Sequence, residues 1–191
     1  TEGDSRVPMN NDVPATFSDG STTKTVDGVG TYTVAADGTV TFVPEKSFVG
    51  TAPAVTVVRE DKNGTKASAT YTPTVVAAVP TAKPATSKDI QGATQSGTPT
   101  FEGATVQVNG QDKAITIKDN SYTLLDKDGN EVATTPAFAE DGTTEIGTYS
   151  IDPATGQVTF TPTDKSYTGK VTPVKVQAES SNGIKVDTTY T

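Results

Sequence analysis

The chain has 191 residues, carries 23 Asp and Glu against 15 Lys and Arg for a net charge of −8, and contains no Cys, His or Trp. Without Cys and His there are no disulfides, no thiolate nucleophiles, no usual transition-metal ligands and no imidazole base. The acidic balance lacks the basic stripe that neutralises phosphates, which weighs against nucleic acid as a partner.

No apolar run approaches the roughly 20 residues of a membrane helix, so no membrane insertion is expected of this piece. An opening Thr1 in place of Met predicts an excised part of a longer protein, with any secretion signal or anchor outside it. Val is the dominant apolar residue, and Leu occurs only at Leu124 and Leu125. β-branched side chains suit a pleated sheet and crowd a helix. With 17 Gly and 12 Pro punctuating the chain, the expectation is an all-β protein with many tight turns.

In chain order, "TEGDSRVP" reads as the continuation of a unit whose opening strand is missing. "GTYTVAADGTVTFVPEKSFVG" (30–50) follows as a hairpin. Tyr32 and Val34 alternate with Thr31 and Thr33, and Val40 and Phe42 with Thr39 and Thr41, so one face is dry and the other wet. Asp37-Gly38 is the turn. Val55 and Val57, then Asn63-Gly64, then Tyr71 mark a second hairpin. "AAVPTAKPATSKD" (77–89) holds Pro80 and Pro84 and reads as an extended, semi-rigid connector. After "ATSKDIQGATQSGTPTF" (85–101) and a more charged stretch (106–132), the chain repeats itself as "GTYSIDPATGQVTFTPTDKSYTG" (147–169).

The duplication is residue by residue. Gly30-Thr-Tyr32 matches Gly147-Thr-Tyr149, Val34 matches Ile151, and Gly38, Val40 and Phe42 match Gly156, Val158 and Phe160. Lys46-Ser-Phe48 matches Lys165-Ser-Tyr167, Gly50 matches Gly169, and Val55 and Val57 match Val174 and Val176. Asn63-Gly64 matches Asn182-Gly183, and Tyr71 matches Tyr190. Internal repetition of this kind predicts tandem modules, here 1–80 and 81–191. Each sheet has one apolar face to cover, so each module is expected to be a β-sandwich, the two arranged end to end. A partly open barrel is the alternative. The first module lacks a counterpart of 85–101, so a bare or partner-filled sheet edge is expected there.

Four groups of residues invite a chemical reading, and each has a plainer one. "DKDGNE" (126–131) has Gly129 fourth where a calcium loop needs Gly sixth, and is expected to be a hairpin turn between Tyr122–Leu125 and Glu131–Ala133. "EDGTTE" (140–145) gathers carboxylates without the aromatic floor of a sugar cleft and is expected to be a solvated loop. Lys46-Ser47 and Lys165-Ser166 recur, but adjacent strand residues face opposite ways, so a turn ahead of Phe48 and Tyr167 explains them better. A Lys–Asn crosslink through Lys113 or Lys175 requires a buried lysine, and both sit among polar neighbours. Of the six Tyr, Tyr32, Tyr71, Tyr149 and Tyr190 are expected in the core, and Tyr122 is the least committed. No catalytic, cofactor-binding or metal site is assigned, and no cofactor is expected.

"GTYSIDPATGQVTFTPTDKSYTG", "QGATQSGTPTF", "VPATFSDGSTTKTV" and "GTAPAVTVVREDKNG" resemble the CshA-type fibril repeats of cell-wall-anchored adhesins of streptococci and related Gram-positive bacteria. The resemblance covers nearly the whole chain. It implies tandem units of a stalk that holds a distal host-binding region away from the cell, an extracellular, wall-anchored location, and no enzyme activity. The implied partners are neighbouring repeats, with a host matrix protein or glycan engaged through the parent adhesin. The alternative is a repeat that itself binds such a partner, and 101–133 is the region to look in.

Overall fold

The computed structural model describes residues 7–191. The start of "TEGDSRVP" therefore lies outside the described residues. The chain divides after Ala77 into two compact units, and among the described residues every regular element is a strand.

Unit 1 contains β1 (Thr16–Phe17), β2 (Thr23–Val26), β3 (Gly30–Val34), β4 (Val40–Pro44), β5 (Gly50–Thr51), β6 (Val55–Glu60), β7 (Lys66–Tyr71) and β8 (Thr74–Val75). Its two main sheets run β1-β6-β7 and β2-β3-β4, with β5 and β8 as a small pair. Unit 2 contains β9 (Thr81–Lys83), β10 (Gln95–Gly97), β11 (Thr100–Glu102), β12 (Ala104–Val108), β13 (Gln111–Ile115), β14 (Thr123–Leu125) and β15 (Glu131–Val132). It continues with β16 (Thr134–Phe138), β17 (Glu145–Ile151), β18 (Val158–Pro162), β19 (Val174–Glu179) and β20 (Lys185–Tyr190). Its main sheets run β15-β14-β19-β20 and β10-β18-β17-β16.

Each unit is a sandwich because the apolar rows of its two sheets meet in one core. In unit 1, Phe17, Val55 and Val57 from one sheet pack with Tyr32 and Val34 from the other. In unit 2, Leu124, Val174, Val176 and Tyr190 pack with Ala137, Ile146, Tyr149, Val158 and Phe160. Removing these rows from water is the main favourable term in forming a two-sheet layer.

The duplication extends to pairing register. Tyr32 lies opposite Phe42 and Val34 opposite Val40, as Tyr149 lies opposite Phe160 and Ile151 opposite Val158. Val55 faces Tyr71 and Glu60 faces Lys66, as Val174 faces Tyr190 and Glu179 faces Lys185. The Tyr32 hydroxyl donates to the Pro53 carbonyl at 2.6 Å, and the Tyr149 hydroxyl to the matching Thr172 carbonyl at 2.7 Å. A buried phenol needs such an acceptor, so the same solution is written twice. Gly30 and Gly147 open the repeated strand for a steric reason. A Cβ on Gly30 would lie 2.4 Å from the Val43 carbonyl oxygen, and one on Gly147 would lie 2.6 Å from both Thr161 O and the Phe160 ring.

The units differ at their edges. In unit 2, β10 pairs antiparallel with β18, with Gln95 opposite Phe160 and Gly97 opposite Val158. The stretch 77–89, expected as a connector, is largely taken into unit 2. β9 pairs with β11, and Ala85 forms a parallel bridge with Tyr190. Three backbone bonds hold this second edge: Ala85 N–H to Thr189 O at 3.1 Å, Thr191 N–H to Ala85 O at 3.2 Å and Ser87 N–H to Thr191 O at 3.0 Å. In unit 1, β4 and β7 are the terminal strands of their sheets among the described residues.

Candidate functional site

The residues weighed for chemistry are held in turns or stand in solvent. The Asp126 carboxylate accepts the N–H of Asp128 and of Asn130, each at 2.9 Å, and Gly129 takes φ 82°. These bonds close the β14–β15 hairpin and hold the carboxyl below its ordinary range, the Asn130 N–H first among the causes. Both ends of "DKDGNE" are strands, as the turn reading expects.

In "EDGTTE" the Asp141 carboxylate accepts the Thr144 hydroxyl at 2.5 Å and the Thr144 and Thr143 N–H groups at 2.8 and 2.9 Å. The Thr144 hydroxyl leads in pulling its pKa down to about 2. A carboxylate saturated by local donors is the cap of a loop and a poor proton donor near neutral pH. Ser166 donates its hydroxyl to Asp164 at 2.6 Å, which closes the turn ahead of Tyr167. Tyr167 and Phe48 pack half-buried against their unit cores.

Lys113 and Lys175 are both exposed. The Lys175 ammonium lies 3.9 Å from Asp187 in a surface pair, so neither lysine has the buried setting a crosslink requires. Of the tyrosines, Tyr32, Tyr149 and Tyr190 are buried, whereas Tyr71 is only half-buried. Burial, with Tyr190 beside it, pushes the Tyr149 phenol up from its ordinary pKa. Tyr122 packs its ring 5.6 Å from that of Phe101, so it belongs to unit 2's packing as well.

Two places differ between the units. The first is the β12–β13 hairpin, a two-stranded ribbon outside both main sheets of unit 2. Asn109 and Gly110 both take positive φ, 53° and 77°, which is the tight primed turn that matches strand twist. Gln107 donates to Asp112 across the ribbon. At its base, a Cβ on Gly103 would lie 1.9 Å from the Ile115 carbonyl oxygen. This ribbon lies in the first half of the 101–133 stretch, and unit 1 has no counterpart among the described residues.

The second is the edge region of unit 1. Val40, Phe42 and Tyr71 are half-buried, whereas their counterparts Val158, Phe160 and Tyr190 are 0%, 8% and 1% exposed. Ala67 and Ala69 are exposed, whereas Val186 and Thr188, at the same register, are half-buried. Val40, Phe42 and Tyr71 carry no sign of this difference in their own identity, because they are repeated as Val158, Phe160 and Tyr190. The signal lies in the missing counterpart of 85–101.

Comparison with known proteins places this pattern. The family profile described as the surface adhesin CshA repetitive domain matches residues 1–75 and again 77–191. No curated protein matches the chain. Among solved structures, the NMR structure of repeat domain 13 of the fibrillar adhesin CshA from Streptococcus gordonii is 58% identical over 35% of this chain and 86% of that one, with a TM-score of 0.23. With both units matched by one repeat profile, the chain belongs to the surface adhesin CshA repetitive domain family.

Proposed function

We propose that the two units are structural spacer repeats of a bacterial surface adhesin, stacked along a stalk that carries a distal host-binding region away from the cell wall. The observation that carries this reading is the duplicated register. The same strand pairs, the same tyrosine-to-carbonyl bond and the same glycine contact recur in both units. What is repeated is fold, and fold is what a spacer must copy. Repeat proteins add units whose stability is set by each unit and its neighbours, so length follows from copy number. The partners in this reading are the neighbouring repeats, and the anchor belongs to the parent chain.

The test is a series of chains with one, two and four copies of unit 2. Small-angle scattering is expected to give a maximum dimension that grows by a constant increment per copy. A dimension that levels off as copies are added overturns the spacer reading.

A second reading rests on the β12–β13 ribbon, a two-stranded element outside the main sheets of unit 2 that has no counterpart among the described residues of unit 1. In that reading the ribbon contacts a host matrix protein or glycan. Replacing 104–115 by a two-residue loop is expected to abolish retention of the chain on immobilised matrix protein or glycan. Undiminished retention, or none by the parent chain, excludes it.

A further inference from the structure

We infer that Asn109-Gly110, at the tip of the β12–β13 ribbon, is a self-modification site, where the chain converts asparagine to aspartate and isoaspartate with water as the only co-reactant. The sequence holds three Asn-Gly pairs, Asn63-Gly64, Asn109-Gly110 and Asn182-Gly183. Each offers the same chemistry, because glycine has no side chain to shield its nitrogen. That nitrogen bonds to the asparagine Cγ, and the Cγ–Nδ2 bond breaks. Ammonia leaves, taking the proton of the glycine N–H. Water then opens the five-membered imide. Opening at Cγ gives aspartate, and opening at the main-chain carbonyl gives isoaspartate; nothing is oxidised or reduced.

The fold opposes this reaction at two of the three pairs. The Gly64 N–H donates to Asp61 O at 3.0 Å and the Gly183 N–H to Ser180 O at 2.8 Å, so both nucleophiles are tied into turns. Asn182 is held at its side chain as well: Nδ2 donates to Ala78 O at 2.8 Å, and Oδ1 accepts the Ser180 hydroxyl. Both turns close hairpins of the main sheets, β6–β7 and β19–β20. Freeing them frays strands anchored by core residues such as Val57 and Val176.

Asn109 stands differently. A two-residue turn closes through the residues that flank it, here Val108 opposite Gln111, and asks nothing of the glycine between them. Among the described residues no hydrogen bond engages the Gly110 N–H. Asn109 and Gly110 are exposed, and a Cβ on Gly110 would meet nothing within 4 Å, so there is room for the ring to close. Closure has to reorient the peptide between the two residues, which opens the turn. That opening is local. The ribbon has two strands outside both main sheets, and all of Gln111–Ala114 is exposed. An unsupported pair of strands is marginally stable, and segments of low local stability open far more often than a core.

The product changes the ribbon and spares the sandwich. Isoaspartate carries the main chain through its side-chain methylene, so the two-residue turn gains a backbone atom and the pairing at the tip loses its register. Either product adds a carboxylate to a ribbon that already holds Asp112. The form of this element therefore depends on the age of the molecule.

The test compares the full 191-residue chain with three synthetic peptides spanning the same pairs, all aged in one warm, mildly alkaline buffer. Peptide mapping by mass spectrometry reads each site through the mass gain of an NH2-to-OH exchange. The peptides give the reference rate for each pair. In the chain, the slowing relative to peptide is expected to be at least about tenfold smaller at Asn109 than at Asn63 or Asn182. A gap smaller than that, or of opposite sign, overturns the inference. Aged chain, separated from fresh chain by anion exchange, is expected to show shifted NMR amide signals for Thr105–Val108 and Gln111–Ala114, with those of β19 and β20 in place. An isoaspartate-bearing chain whose ribbon signals stay in place overturns the loss of register. Neither readout depends on whether the units serve as spacers or the ribbon binds a partner.

Discussion

Tyr149→Ala is expected to lower the stability of unit 2 by about 3–5 kcal/mol, the range for removing a buried aromatic side chain. Tyr149 is 2% exposed and sits between Phe160, at 5.7 Å between ring centroids, and Tyr190, at 5.9 Å and edge-on. Its hydroxyl is committed to Thr172 O. Truncation therefore empties a volume lined by two rings and frees a carbonyl inside the sandwich. For a domain of this size the loss corresponds to a fall in melting temperature of more than about 10 °C. Tyr149→Phe keeps the ring and loses only the bond, so about 1 kcal/mol is expected. Calorimetry separates the two. Equal effects from both variants would show that the ring's packing contributes little.

Gly147→Ala is expected to cost about 1–3 kcal/mol, the cost of forcing an extra methyl group into a packed site. The new carbon would meet the Phe160 ring and Thr161 O at 2.6 Å. Gly30→Ala makes a similar collision in unit 1, with Val43 O at 2.4 Å, and a loss at least as large is expected there. Gly30 also takes φ 154°, which L residues rarely adopt, so moving the neighbouring strand relieves the contact and leaves the backbone strain. Thermal or urea unfolding of the two variants tests the comparison. A clearly smaller loss at Gly30 than at Gly147 would mean that β4 yields to the new methyl group and that the backbone strain is slight.

Much of this fold is legible in the residues. Alternation placed Tyr32, Val34 and Tyr149 on the dry faces, and the structure buries all three. The turns at Gly38, Gly64, Gly156 and Gly183 all take positive φ, as their Asp-Gly, Thr-Gly and Asn-Gly sequences predict. Repeated residues carry this information because register is fixed by which side chains must face inward.

Partnership is less legible. The alternation of Val106 and Val108 with Thr105 and Gln107 looks like that of a sandwich strand, but these residues form a separate ribbon. Nothing in a period of two names the neighbouring strand. The two prolines of 77–89 suggested a spacer. Yet the residues on either side of Pro84 bond to sheet edges, because proline blocks only its own donor and leaves its neighbours free to pair. Val40 and Phe42 read as core by their match to Val158 and Phe160. Their partial exposure comes from what lies beside them, which their own identity does not encode.

The parallel bridge between Ala85 and Tyr190 has a mechanical meaning. The chain enters unit 2 ahead of Ala85 and leaves it after Tyr190, so tension drawn through both ends slides the two segments past each other lengthwise. The bonds of Ala85 and Ser87 to Thr189 and Thr191 are then loaded together, in shear. Peeling would break them one after another under a smaller force. Shear across several bonds at once is the stronger of the two geometries.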